Sequence, residues 1–331
     1  MPANLTPEFK QAEERFRQAK SPEEKLLCLE EMLATIPKHK GTEKMQADIK
    51  TRIAKIRREL SEAKAGGKRQ DWYSVEKQGA GQVVIFGPPN CGKSALVKAL
   101  TGLPAEVAPY PFTTTRPMAG MMEFEDIQIQ LIDTPPMVPD SPAWLFHILR
   151  TADLLCWLID LADDGVLDNT EQIQQLLHQN RIGFAAQEGI MVKPLVRVGT
   201  KADDPEAQER LAILRELCLR TCPEQMAADV EVLLVSAVTG QGLEEFKRRV
   251  FEGLRIIRVY TKKPGKPPDM NEPVILRTGA TIIDAAYHLH KDFARKLAYA
   301  RLWNNSGYSG QRVERTHILN DKDIIEFHIN E

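Results

Sequence analysis

From about residue 76 the chain is punctuated by short, nearly all-apolar runs: QVVIF, IQIQLI, LLCWLID, PLVRVG and VEVLLVS. Runs of this length predict strands buried on both faces, and the helical patterns between them predict crossovers packed on a parallel sheet. The expected core is therefore an α/β, Rossmann-like doubly wound sheet. Residues 1–64 read differently, as helix throughout. Ser21-Pro22-Glu23-Glu24 forms a capping box with proline at the first helical position. Further on, Met45, Ile49, Ile53, Ile56 and Leu60 recur at spacings of four and three, one apolar stripe opposite Lys50, Arg52, Lys55, Arg57 and Arg58. Such a stripe predicts packing against a neighbouring helix, and Gly66-Gly67 marks a linker.

The pattern shifts again near residue 256. A Pro-rich stretch, PGKPPDMNEP, precedes a short strand, PVILRT; a helix opens at Thr281 with Asp284 as its capping partner, and an alternating strand, IIEFHI, follows. That order suits a small β-grasp unit. Three regions are expected: a helical N-terminal region at 1–75, the α/β domain at 76–255 and the β-grasp domain at 256–331. No internal repeat is visible.

Composition narrows the function without naming it. The formal charge of −2 hides an uneven distribution: Lys and Arg against Asp and Glu run 16 to 12 in residues 1–75, 16 to 25 in 76–255, and 12 to 9 in 256–331. An acidic centre between two basic ends fits either solvated helices or contact with RNA or a ribosome, and charge alone leaves both open. The five cysteines show no C-x-x-C pair; Cys218 and Cys222, four apart, read as ordinary helix residues. MPANLTPEFKQ lacks the apolar core of a signal peptide and LLCWLI is far too short to span a bilayer, so a cytoplasmic protein with no membrane partner is expected.

The chemistry concentrates in four stretches. Gly87-Pro88-Pro89-Asn90-Cys91-Gly92-Lys93-Ser94 has the form G-x-x-x-x-G-K-S, follows the strand VVIF and opens a helix from Ser94 and Ala95 that Gly102 ends. Glycines let the backbone wrap phosphates so that amides and a helix N-terminus face the anion. Lys93 would then reach the β- and γ-phosphates and Ser94 would ligate Mg²⁺. Asp133, ending IQIQLI, can hold the metal through water. Thr200-Lys201-Ala202-Asp203 ends another strand; the Asp203 carboxylate can accept from the ring N–H and exocyclic amine of guanine, with the Lys201 stem along the base. Ser236-Ala237-Val238, at the end of the last run, offers a backbone amide to the guanine carbonyl. In this order the set reads as a GTP/GDP site.

This constellation resembles the translation-associated P-loop GTPases, within them the Obg-related group, and most closely the developmentally regulated GTP-binding (DRG) proteins. PYPFTTTRPMAG at 109–120 is similar to that group's first switch, which makes Thr114 the expected second Mg²⁺ ligand. GTEKMQADIKTRIAKIRREL at 41–60 resembles the helical segment before the GTPase domain of DRG proteins. RVYTKKPGKPPD and HILNDKDIIEF resemble their C-terminal TGS domain, a β-grasp module. The resemblance implies slow GTP hydrolysis, with Lys93, Thr114 and Asp133 around the reacting phosphate, and a ribosome, RNA or protein partner reached through the helical N-terminus or the TGS domain. The alternative is a nucleotide-bound scaffold with little hydrolysis. In related potassium-activated GTPases an asparagine at the position of Asn90 helps hold K⁺ against the phosphates, so K⁺ joins Mg²⁺ as an expected cofactor.

Three departures from the family stand out. TKAD replaces Asn-Lys-x-Asp and removes an amide that tethers the base loop to the phosphate loop. Only about forty residues separate Asp160 from Thr200, so the extra subdomain of DRG proteins is absent or reduced. DTPPM at 133–137 carries Pro136 where glycine would donate its N–H to the terminal phosphate, and proline has none to give. Met137, in the place of a water-orienting glutamine, fits the resembling group. Arg116 reads as solvated, His288 and His290 as a non-metal pair, and Trp144, Trp157 and Trp303 as core or interface aromatics.

Overall fold

The computed structural model describes residues 9, 13, 15–16, 22–36, 42–62, 73, 75–102, 117–184, 188–221, 231–304 and 309–329. The chain divides into two compact units, Met1–Trp72 and Tyr73–Glu331. In the first, helices α1 (Pro22–Thr35) and α2 (Glu43–Glu62) bury Leu29, Met32 and Ile36 against Ile49 and Ile53, joined by Phe9. The stripe holds from Ile49 to Ile56, while Met45, near the start of α2, is 37% exposed and lines a cavity with Leu29 and Met32 of α1. Lys50, Arg52 and Lys55 lie on the exposed side, as the pattern predicts.

The second unit is built on a six-stranded sheet of order β2-β3-β1-β4-β7-β8. The strands are β1 (Gln82–Phe86), β2 (Met118–Phe124), β3 (Ile127–Asp133), β4 (Leu154–Asp160), β7 (Leu195–Thr200) and β8 (Val232–Leu234); the intervening β5 (Ile182–Gly183) and β6 (Met191–Val192) form a separate two-stranded ladder. Alternation in β1 shows why the fold is doubly wound. Val84 and Phe86 enter a core with Trp157 and with α4 (Ala143–Thr151), α5 (Val166–Gln179) and α6 (Ala207–Thr221). Val83 and Ile85 enter another with α3 (Lys93–Thr101) and α7 (Leu243–Leu254). The parallel expectation needs one correction: β2 runs antiparallel to β3 at the sheet edge, since a two-residue turn joins them and leaves no room for a crossover. Only α5 and the short β5–β6 ladder stand out among the described residues between β4 and β7, in keeping with a reduced insertion.

A second sheet, of order β10-β9-β13-β11-β12, closes the chain. Its strands are β9 (Ile256–Lys262), β10 (Pro268–Arg277), β11 (Leu297–Trp303), β12 (Ser309–Val313) and β13 (Asp323–Ile329), with β9 and β13 parallel at the centre and the other pairs antiparallel. Helices α8 (Ile282–Leu289) and α9 (Lys291–Lys296) contribute Ile282, Ala285, Ala286 and Ala294 to the core of this β-grasp layout. The Asp284 carboxylate accepts from both the amide (2.8 Å) and the hydroxyl (2.6 Å) of Thr281 and starts α8 as its sequence predicts. β10 starts earlier than the strand PVILRT, taking in the second half of the Pro-rich stretch. An edge strand tolerates proline, and the register shift between Asp269 and Val274 absorbs the missing donors.

Candidate functional site

The loop after β1 is shaped by its glycines. A Cβ at Gly87 would meet the Leu158 carbonyl oxygen at 2.6 Å and Cys91 Sγ at 2.8 Å, so no other residue fits beneath the loop. Gly92 takes φ +86° as the N-cap of α3, and a Cβ there would meet nothing within 4 Å. Asn90, exposed at the crest, holds a left-handed φ of +59°. The result is a concave run of backbone ending on a helix N-terminus, the local geometry that accepts an anion. Pro88 and Cys91 are buried, Pro89 is half-buried and Ala95 exposed. Lys93 is 7% exposed and curls back, its Nζ donating to the Pro88 carbonyl at 2.7 Å and the Gly87 carbonyl at 3.3 Å. Burial pushes the Cys91 thiol up, against the pull of Lys93, which makes it a packing residue and not a nucleophile.

Ser94 and Asp133 meet where α3 begins and β3 ends. The Ser94 hydroxyl donates to Asp133 Oδ2 at 2.6 Å, and Asp133 is 3% exposed. Its Oδ1 is buried with no hydrogen-bond partner among the described residues. Burial raises the Asp133 carboxyl above its ordinary range, only partly opposed by the Ser94 hydroxyl and Lys93. A buried carboxylate with a spare oxygen beside a hydroxyl is a hard-donor arrangement that suits a divalent cation or the water it carries. Thr114 and Arg116 fall outside the described residues.

The base-side loops are tied to the phosphate loop. The loss of asparagine from TKAD does not free the loop. Thr200 Oγ1 donates to the Cys91 carbonyl at 2.8 Å, so a hydroxyl on β7 makes the tether instead of an amide. Thr200 is 4% exposed, and β7 lies close enough to Cys91 for its short side chain to reach. The next residue, Lys201, takes φ +57° and sets Nζ against Asp160 Oδ2 at 2.6 Å. The Ala202 amide then donates to the Val235 carbonyl at 3.1 Å, joining TKAD to the last loop. Buried Ser236 organises that loop, its Oγ accepting from the amides of Val238 (3.3 Å) and Thr239 (3.1 Å). Asp203 is exposed, and the Ser236 hydroxyl beside it holds its carboxyl below the usual range. Ala237 is half-buried, and Val238 is 87% exposed.

Hydrogen bonds thus join Ser94 to Asp133, Lys201 to Asp160 and Thr200 to the Cys91 carbonyl of the phosphate loop, and Asp203 lies beside Ser236 in the base-side loops. Asp160 was missed from the sequence, although an apolar strand that ends in a carboxylate is itself a signal. Thr200→Val, nearly isosteric, is expected to leave the buried Cys91 carbonyl unpaired and lower stability by about 1–3 kcal/mol, with weaker GDP binding; urea unfolding and a nucleotide titration check both.

Two family models and a set of relatives match this chain. Residues 82–188 match the 50S ribosome-binding GTPase family, and residues 257–329 match the TGS domain. The chain is 29% identical to an uncharacterized GTP-binding protein of Methanocaldococcus jannaschii, over 92% of each chain. It is 27% identical to the developmentally-regulated GTP-binding protein 2 homolog of Dictyostelium discoideum, over 92% of this chain and 98% of that one. A solved GTP-binding protein from Pyrococcus horikoshii OT3 overlaps 75% of this chain and 100% of its own, at 16% identity and a TM-score of 0.49. Fold and site together define a P-loop GTP-binding protein. Residues 82–188 thus carry a domain similar to the 50S ribosome-binding GTPases and residues 257–329 a TGS domain, and over 92% of its length the chain resembles the DRG group. Among the described residues no helix is long and apolar enough to cross a membrane.

Proposed function

We propose that this chain hydrolyses GTP slowly with Mg²⁺, and that its helical N-terminal region and TGS domain engage a ribosome or RNA. The observation that carries the reading is the pair of ties, Thr200 to Cys91 and Ala202 to Val235, which hold phosphate-side and base-side loops in one frame. A frame of this kind positions two ends of one ligand without paying for order on binding. In it, the amides of residues 90–95 would hold phosphate oxygens, Pro88 and Pro89 having none to donate, and Lys93 would leave the Pro88 carbonyl for the more charged phosphates. Asp203 would select guanine, with Thr200, Lys201, Ser236, Ala237 and Val238 shaping the base pocket.

Ser94 and Thr114 would hold the metal and Asp133 would hold its water, the orphaned Oδ1 supplying the acceptor. Bound there, Mg²⁺ would neutralise charge on the β- and γ-phosphates. The side chain of Met137 is buried in the core and offers no group to an attacking water. Hydrolysis would therefore rest on charge neutralisation and positioning more than on a side-chain base. The same burial, with Pro136, favours the second reading, a GTP-dependent scaffold with little hydrolysis.

Sedimenting a lysate with a non-hydrolysable GTP analogue tests the partner. Co-migration with ribosomes that GDP reduces supports the proposal; a protein that stays at the top of the gradient with either nucleotide counts against it. Exposed Asn90 adds a cofactor prediction. Hydrolysis is expected to run faster in potassium than in sodium at equal ionic strength, and Asn90→Ala to remove the difference, in a phosphate-release assay; equal wild-type rates in the two salts would refute it.

A further inference from the structure

The β2–β3 hairpin joins the two segments that flank the proposed metal site. β2 begins at Met118, paired with Asp133 at the end of β3, and the strands stay in register to the turn at Glu125-Asp126. That turn is roughly 20 Å from Asp133 at about 3.3 Å per residue. It is also gripped by the C-terminal domain.

Arg258, on β9, is 2% exposed, and its guanidinium is fully engaged. Nη1 donates to Glu125 (2.5 Å) and Asp126 (2.7 Å) of the turn. Nε and Nη2 form a fork on Asp321 of the loop before β13, at 3.0 and 2.6 Å. Its carbon lies 4.8 Å from the centre of the Phe251 ring. Two residues along β9, Tyr260 donates to Asp126, and Lys322 pairs with Glu125 at 2.9 Å. Glu125 holds φ +50° at the first turn position, where glycine is usual, and Lys322 holds φ +68°. Two strained, non-glycine turns on different sheets therefore converge on one buried cation. A planar five-donor group suits this task, and a lysine would not reproduce it.

The middle of the hairpin is fixed separately. Gln82 Nε2 donates to Gln130 Oε1 at 2.9 Å inside the core and ties β3 to β1. Arg258 fixes the far end. We propose that Arg258 is a positioning residue through which the C-terminal domain holds the β2–β3 hairpin, and with it Asp133, in the register the nucleotide site uses. The inference rests on the reading of Asp133 as the carboxylate on the metal side, which has its own control below. It makes the C-terminal domain part of the nucleotide site's support, so that a ligand bound to that domain and a nucleotide must influence one another.

The test is GDP affinity in Mg²⁺ and in EDTA, by displacement of a fluorescent GDP, for the full chain. Arg258→Met is expected to lose about fivefold or more of the tightening that Mg²⁺ gives the wild type, with affinity in EDTA unchanged. Arg258→Lys should fall between. Amide exchange along Ile129–Asp133 should rise in Arg258→Met. Should that variant fail to fold, Asp321→Asn, which weakens only the C-terminal jaw, is read in the same way. The inference is overturned if the Mg²⁺ effect survives in full, or if the two affinities fall in parallel as general destabilisation requires. Asp133→Asn separates the two claims. If it keeps the whole Mg²⁺ effect, the metal reading of Asp133 fails and the inference with it; if it loses the effect while Arg258→Met keeps it, only the inference fails.

Discussion

Asp203→Asn is expected to weaken GTP binding by about a hundredfold or more, because the new amide turns a donor toward the two donors of guanine. The structure sharpens this expectation. Asp203 is exposed to an incoming base, and the Ser236 hydroxyl beside it holds its carboxyl below the usual range. It is therefore an ionised acceptor at neutral pH. The backbone that carries it is held by the Ala202–Val235 and Thr200–Cys91 bonds, which the substitution does not touch. Loss of affinity would thus report on the base contact and not on a collapsed loop. Xanthine nucleotides carry a carbonyl where guanine has its amine, so they should bind the variant better than the wild type. Titrations of GTP and its xanthine counterpart into both proteins check the result, and unchanged GTP affinity would remove Asp203 from the site.

The second large effect concerns Pro136. An N–H donated to a charged phosphate is worth roughly 1.5–3 kcal/mol net, and its absence should cut preference for GTP over GDP by about ten- to a hundredfold. Both flanks of Pro136 are anchored. Thr134 Oγ1 donates to the Ile85 carbonyl at 2.8 Å, and the Met137 amide donates to the Gly87 carbonyl at 2.9 Å with its side chain in the core. Pro136→Gly should therefore restore a donor without releasing the whole segment, although glycine's added freedom offsets part of the gain. Pro136→Ala returns the N–H with less freedom and serves as the control. Titrating GDP and a non-hydrolysable GTP analogue into the three proteins is decisive. If neither variant shifts the ratio of affinities, Pro136 only stiffens the loop.

Most of the architecture was legible because burial on both faces leaves little latitude. β1, β3, β4, β7 and β8 are the apolar runs themselves, and Gly102 and Thr281 punctuate helices where their chemistry says they should. What sequence misjudged was relational. TKAD read as a missing tether, since nothing in the string shows that β7 brings a threonine hydroxyl to the Cys91 carbonyl. The strand PVILRT read as starting at Pro273, whereas β10 starts at Pro268, since only the sheet order shows β10 at an edge, where proline is tolerated. Arg258 reads in the sequence only as part of the TGS-like stretch RVYT, because its partners lie 63 and more than 130 residues away in the chain. The chemistry of single motifs is local and could be read; the bonds that turn motifs into a site are not.

Single-turnover hydrolysis, with protein in excess over radiolabelled GTP, tests the central claim most directly. A working site should release phosphate slowly but to completion, with Lys93→Ala and Asp133→Asn both suppressing release. Tight binding of GTP with no phosphate released above the uncatalysed rate, in potassium and with Mg²⁺ present, would contradict it and leave a nucleotide-dependent scaffold.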